Sequence, residues 1–271
     1  MLPKVFIAGN SYVISKDLVP TLERKIGIDL SPFVRERIRL LEDFFLSKFW
    51  RYIPEDINKI TTNAFTTSVE LEAVIDERGL PLISLDRVYA PKADGYLEIT
   101  RVTDPKTNKI TIGERPGNPS LEVQFIPLQK YTEINLVDVG AFEGNTILEL
   151  CDLLEKKGLK IAEIFLGYSS VEAKEKISRN KKVTVLNLFQ FYEWVELRDF
   201  FGIDGRRIAE RPDYFIPYWE NLSSWASVPL QYKNEVKNLC LDYNKGLLQL
   251  LGSEGYPIER IGKPISPLEV K

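Results

Sequence analysis

The chain of 271 residues is 44% hydrophobic and 28% charged, which supplies a packed core and argues against intrinsic disorder. Lys and Arg number 36 against 39 Asp and Glu, a net charge of -3, so no whole-molecule field favours polyanions and nucleic acid is not an expected partner. The absence of histidine excludes Ser-His-Asp and Cys-His catalysis and His-ligated metals, and Cys151 and Cys240 have no zinc-type spacing.

In chain order, Lys4–Ala8 reads as a short strand ended by the turn residues Gly9-Asn10-Ser11. Ser31 and Pro32 fit the N-cap and first turn of a helix on which Val34, Ile38, Leu41 and Phe45 recur at helical spacing. Arg35, Arg37 and Arg39 lie off that stripe as a solvated face. Thr67–Asp76 is a further expected helix, stopping near Gly79. Leu82–Leu85 and Tyr96–Val102 read as strands, and the turn chemistry of Asp104–Asn108 followed by Lys109–Ile112 predicts a hairpin. Leu121–Ile126 reads as another strand, and Ile134–Val139 as a buried strand of the parallel-sheet kind.

From there strands and helices alternate. Thr146–Lys157 carries Ile147, Leu150, Cys151 and Leu154 on one face, with Gly158 as its stop. Cys151 therefore reads as an inert core thiol. Ile161–Leu166 is a strand, Ser169 with Glu172 predicts a capping box opening the helix Val171–Ser178, and Val183–Leu188 is the next strand. This βαβαβ order predicts a parallel sheet with right-handed crossovers. Arg206, Arg207 and Arg211 are placed in a loop, with the aromatic segment Tyr214–Trp219 after it, and a final helix is expected near Lys233–Leu251. Glu196, Asp199 and Asp204 near Arg206 and Arg207 read as a solvated charged loop. Trp219 and Trp225 read as core. The expected organisation is an N-terminal helical elaboration over 1–80 and an α/β domain over 81–271, as parts of one continuous domain or as two. No apolar run approaches the ~20 residues needed to cross a bilayer, and the start lacks the apolar region of a signal peptide, so a cytoplasmic location is expected.

The concentrated functional signal is Leu136-Val137-Asp138-Val139-Gly140-Ala141-Phe142-Glu143-Gly144-Asn145-Thr146, which runs from a buried strand into a helix. At such a junction backbone N–H groups without an intrahelical partner point toward an incoming anion. Gly144 allows close approach to the backbone, Thr146 can cap the helix or donate its hydroxyl to a phosphate, and Asp138 sits at the strand's carboxyl end, where open α/β sheets bind ligands.

These residues resemble the signature of type I phosphoribosyltransferases, a hydrophobic strand, two acids, three variable residues, then Thr-Gly-x-Thr opening a helix. Asp138 takes the first acid, Gly144 the glycine and Thr146 the last threonine, without a gap. The resemblance implies a mostly parallel central sheet of phosphoribosyltransferase type with a hairpin hood, here Tyr96–Ile112. It implies that Glu143, Gly144, Asn145 and Thr146 cradle the 5-phosphate of phosphoribosyl pyrophosphate and that Asp138 binds the ribose hydroxyls, with magnesium. Tyr214 or Phe215 would contact a base. Val139 replaces the second acid, Glu143 the first loop threonine, and Asp86-Arg87-Val88-Tyr89 is the candidate for the pyrophosphate-binding loop. The same loop also resembles motif I of class I methyltransferases, which binds S-adenosylmethionine, although no acid follows the next strand before Glu172. A third reading is a nucleotide-binding or regulatory protein without catalysis. The expected partner is thus a phosphorylated small molecule or nucleotide; turnover, and assembly as a homo-oligomer, stay open.

Overall fold

The computed structural model describes residues 10–75, 79–104, 110–209, 211–261 and 263–264. It resolves into two compact units of discontinuous chain. One comprises Ala64–Val102 and Ile110–Phe191 with the segment ending at Ser11; the other comprises Tyr12–Asn63 and the chain from Tyr192, with 103–109. The division therefore does not fall at residue 80. The helix after Asn63 belongs with the parallel sheet, while the chain from Tyr192 belongs with the N-terminal helices.

The second unit opens with β1 (Ser11–Lys16), α1 (Leu18–Ile26), α2 (Pro32–Phe49) and β2 (Asn58–Asn63). β1 was not expected, because Gly9-Asn10-Ser11 reads as turn chemistry; the expected strand Lys4–Ala8 lies outside the described residues. α2 begins as its sequence predicts, with the Ser31 hydroxyl accepting the Val34 N–H at 3.2 Å and Pro32 in the first turn.

The first unit contains α3 (Ala64–Ile75), β3 (Leu82–Ser84), β4 (Gly95–Tyr96), β5 (Ile99–Thr103), β6 (Ile110–Glu114), α4 (Leu121–Phe125), β7 (Glu133–Ala141), α5 (Asn145–Lys156), β8 (Lys160–Ser170), α6 (Val171–Ser178) and β9 (Val183–Phe189). Its centre is a five-stranded sheet in the order β4-β3-β7-β8-β9, and every neighbouring pair is parallel. This is the α/β architecture with a parallel central sheet that the βαβαβ pattern predicts. Ile147, Leu150, Cys151 and Leu154 of α5 pack into its core with Ile134, Leu136, Ile164 and Ile177. β5 and β6 are sheet neighbours; the expected hairpin turn falls largely at 105–109, outside the described residues.

Two local readings are corrected in this unit. Leu121–Ile126 is helical, not a strand: Ser120 caps it, with the Val123 N–H 3.5 Å from its hydroxyl, and the buried residues Leu121 and Phe125 are one helical turn apart. The cap of α6 is Ser170, not Ser169, because β8 runs four residues past Leu166 and carries Ser169 inside the sheet.

The chain returns to the second unit through β10 (Phe191–Glu196), α7 (Leu197–Phe200), β11 (Arg206–Ile208), β12 (Arg211–Ile216), α8 (Leu222–Trp225), α9 (Lys233–Ser253) and β13 (Lys263–Pro264). β10, β1 and β2 form a three-stranded sheet, and α2 and α9 enclose an aromatic-rich core with Tyr12, Phe45, Phe49, Phe200 and Phe201. Arg206, Arg207 and Arg211 stand on an antiparallel strand pair rather than in a loop. Arg206 is buried with its guanidinium 4.1 Å over the Trp225 ring. Trp219 is core, as expected, and fills the space a side chain at Gly202 would need. Among the described residues no helix is long and apolar enough to cross a membrane.

Candidate functional site

β7 carries the site because Ile134, Asn135, Leu136, Val137 and Val139 are all buried between parallel neighbours. Its register places Val137 opposite Ser84, the last residue of β3, and Asp138 opposite Leu166 of β8. Asp138 was expected at the strand's end, but pairing with β8 continues to Ala141. It is instead one residue beyond the level at which β3 stops. Asp138 is half-buried, and its Oδ1 accepts the Val139 N–H at 2.8 Å.

Beyond Ala141 the chain turns through Phe142-Glu143-Gly144 into α5. Gly144 occupies the N-cap position with φ 75° and ψ -4°, and so brings no side chain of its own to cap the helix. Its left-handed backbone favours glycine, and a Cβ there would stand 3.2 Å from Ile177 Cγ1 of α6. Close packing of the turn on α6 thus gives the glycine a structural reason of its own. Thr146 is the second residue of α5, half-buried, and does not cap it.

The side chains around the turn hold it in shape. The Ser170 hydroxyl donates to the Phe142 carbonyl at 2.7 Å and accepts the Ala173 N–H at 2.8 Å, so one residue both caps α6 and fixes the loop. Exposed Glu143 accepts from the Asn145 side-chain amide at 2.9 Å, and the Asn145 oxygen accepts from Lys176. The carboxylate is thereby engaged by Asn145, and Lys176 supplies positive charge on the same side. Four rings line up near the carboxyl ends of β8 and β9: Phe142 lies 5.8 Å from Phe191, Phe191 5.3 Å from Phe189, and Phe189 6.0 Å from Tyr168. Tyr168 and Thr67 share a hydrogen bond of 2.7 Å. No local sequence pattern marks this row, because its residues are scattered over three strands and a turn.

The segment after β3 is internally fastened. Ser84 Oγ donates to the Asp86 carbonyl at 2.8 Å, Asp86 Oδ1 accepts the Val88 N–H at 2.9 Å, and Asp86 Oδ2 lies 3.3 Å from Arg115 Nη2. Buried Glu98 sits 3.5 Å from both Arg115 and Arg87, and Arg87 covers the Tyr96 ring at 4.0 Å. An anion arriving here would meet two buried carboxylates already paired with both arginines.

Tyr214 and Phe215 lie on β12 in the second unit, whereas the turn belongs to the first. Phe215 is fully buried, and Tyr214 is half-buried with the Arg211 guanidinium 5.8 Å from its ring. The charged segment Glu196–Arg207 is not solvated: Asp199, Asp204 and Arg206 are buried. Fully buried Arg198 pairs with Asp17 at 3.1 Å and with Glu196. Burial raises the Asp17 carboxyl above its ordinary range, against the pull of Arg198. Asp17 and Arg198 carried no sequence signal, being 181 positions apart.

Among the described residues no group of three or more His, Cys, Asp or Glu is arranged to hold a metal. On β7 Asp138 lies near the turn while Glu133 stands at the strand's start, so the strand brings a single carboxylate to the turn.

No family model and no curated protein matches the chain. Solved structures similar to it include an adenine phosphoribosyltransferase from Thermoanaerobacter pseudethanolicus, at 13% identity over 46% of this chain and 80% of that one, with a TM-score of 0.31. An orotate phosphoribosyltransferase from Aeropyrum pernix matches at 16% identity over 46% and 70%, TM-score 0.30. A Helicobacter pylori xanthine-guanine-hypoxanthine phosphoribosyltransferase matches at 14% over 49% and 86%, TM-score 0.30. Likenesses this distant do not assign a family or an activity.

Proposed function

We propose that the chain is a phosphoribosyltransferase-like binding protein that holds a phosphorylated ribosyl compound, such as phosphoribosyl pyrophosphate or a nucleotide, at the β7–α5 junction. The observation that carries the reading is the start of α5: its N-cap is Gly144, which has no side chain to cap it, and the nearby Glu143 carboxylate is engaged by Asn145. The amide N–H groups of Asn145 and Thr146 and the Thr146 hydroxyl would donate to the phosphate oxygens, aided by the positive end of the helix. Lys176 would offset the Glu143 charge. Asp138 would accept from the ribose hydroxyls and touch a phosphate-borne magnesium ion. Phe142, in the turn itself, and Phe191 beside it are rings of the same unit that would meet a base, while buried Phe215 is the poorest choice.

Binding rather than transfer is the reading these residues support. Val139 stands where the resemblance implies a second acid, and the segment after β3, the counterpart of a pyrophosphate loop, carries buried Asp86, whose partner Arg115 also meets buried Glu98 beyond β4. The methyltransferase alternative loses support, because that family appends an antiparallel last strand and all pairs of the five-stranded sheet are parallel. The end of β8 also offers Tyr168, Ser169 and Ser170 in place of a ribose-gripping acid.

Thermal unfolding with phosphoribosyl pyrophosphate plus magnesium, ribose 5-phosphate, a nucleoside monophosphate or S-adenosylmethionine tests this. A ligand at about 100 times its dissociation constant stabilises by about 2.7 kcal/mol. Stabilisation by phosphorylated ribosyl compounds, abolished in Thr146→Val, is expected. A shift with S-adenosylmethionine alone, or with none of the four, contradicts the proposal.

A further inference from the structure

Lys176, Asn145 and Glu143 form a line of three side chains beside the β7–α5 turn. Lys176 of α6 donates to Asn145 Oδ1, and the Asn145 amide donates in turn to Glu143 Oε2 at 2.9 Å. Packing brings the ammonium there. The Ser170 hydroxyl at the start of α6 donates to the Phe142 carbonyl at 2.7 Å, and Ile177, next to Lys176, lies 3.2 Å from where a Cβ on Gly144 would stand. An amide can serve a cation and an anion only one way round, its oxygen toward the ammonium and its NH2 toward the carboxylate. Glu143 and Asn145 are exposed, so such bonds add little to stability. What singles the line out is its place.

Glu143 stands one residue before Gly144, which brings no side chain to cap α5. A carboxylate there is drawn to the positive end of the helix, where the phosphate is read to bind, and it also repels that phosphate. Glu143 is in this way a competitor built into the turn. We propose that Lys176 is a positioning residue of the junction: acting through Asn145, it holds the Glu143 carboxylate aside and offsets its charge, so affinity for a phosphate depends on the line being intact. The inference rests on the ligand reading above and adds the control of that site. Lys176 needs no contact with the ligand, because its ammonium is spent on Asn145.

Calorimetric titration of the full chain with ribose 5-phosphate tests it. Lys176→Met should weaken binding roughly fivefold, the factor that a unit-charge pair at about 4 Å gives in water. In the Glu143→Gln background the same change should weaken it less than about twofold, because no carboxylate remains to be held aside. Asn145→Ala keeps the backbone N–H and should match Lys176→Met, and the two together should cost little more than either. In the ligand-free protein, Lys176→Met and Glu143→Gln should each move the Asn145 side-chain amide resonances in two-dimensional NMR. An equal loss in both backgrounds would make Lys176 a direct phosphate contact, undiminished affinity in Lys176→Met would make it idle, and unmoved Asn145 resonances would show that the line does not form; each overturns the proposal. A wild-type chain that does not bind ribose 5-phosphate removes the ligand reading and this inference with it, whereas binding indifferent to all three substitutions removes the inference alone.

Discussion

Substituting Gly144→Ala perturbs the turn at its most constrained point. An L-residue at φ 75° costs roughly 1–2 kcal/mol. The new methyl would stand 3.2 Å from Ile177 Cγ1, 3.4 Å from Ile177 Cδ1 and 3.5 Å from the Ala173 carbonyl, crowding that adds about 1 kcal/mol. A total loss of about 2–3 kcal/mol is expected, read as a lowered urea midpoint with an unchanged m-value. Ile177→Ala removes both crowding atoms, so a double-mutant cycle separates the two contributions. The crowding should vanish in the double variant and the backbone cost should persist. A loss below about 0.5 kcal/mol in Gly144→Ala, or a cycle with no coupling to Ile177, would refute the account of this turn.

Ser170→Ala removes the cap of α6 and the tie to the Phe142 carbonyl together, and should cost about 1–2 kcal/mol in the same assay; Ser169→Ala, if equally costly, would contradict the capping assignment. Glu42 is buried and accepts the Leu18 N–H at 3.2 Å, and burial raises its pKa from 4.5 to about 7 against the opposing pull of Lys16. The folded state therefore holds a proton that the unfolded chain releases between those values. Its contribution is fully present below pH 4.5 and is lost as pH rises to about 7, a fall on the order of 3 kcal/mol. Glu42→Gln should flatten that part of the stability–pH curve, and an unchanged slope would contradict it. Burial pushes the Cys151 thiol up to about 12, so a thiol reagent at mildly alkaline pH should label it no faster than the chain unfolds; rapid labelling of the native protein would show it open.

What the sequence made legible was local and contiguous. The run from β7 to β9 could be read because each strand and helix follows directly on the last, and α2 because Ser31 and Pro32 announce it. Leu121–Phe125 was misread because two buried residues a helical turn apart, with apolar Val123 between them, look like alternation. The charged segment around Arg198 was misread as solvated because its partner Asp17 sits at the other end of the chain. The division into two units was invisible for the same physical reason: each unit is assembled from distant stretches, and only burial reveals which belong together. At the candidate site the turn itself was foreseen, while the fastening by Ser170 and Lys176 arises from packing of α6 that no local pattern encodes.

The most direct measurement follows backbone amides by two-dimensional NMR while phosphoribosyl pyrophosphate and magnesium are titrated into the full chain. Saturable shifts led by the amides of Asn145 and Thr146, and reduced in Thr146→Val, are what the account predicts. Shifts that leave the start of α5 untouched would contradict it, whatever else they moved.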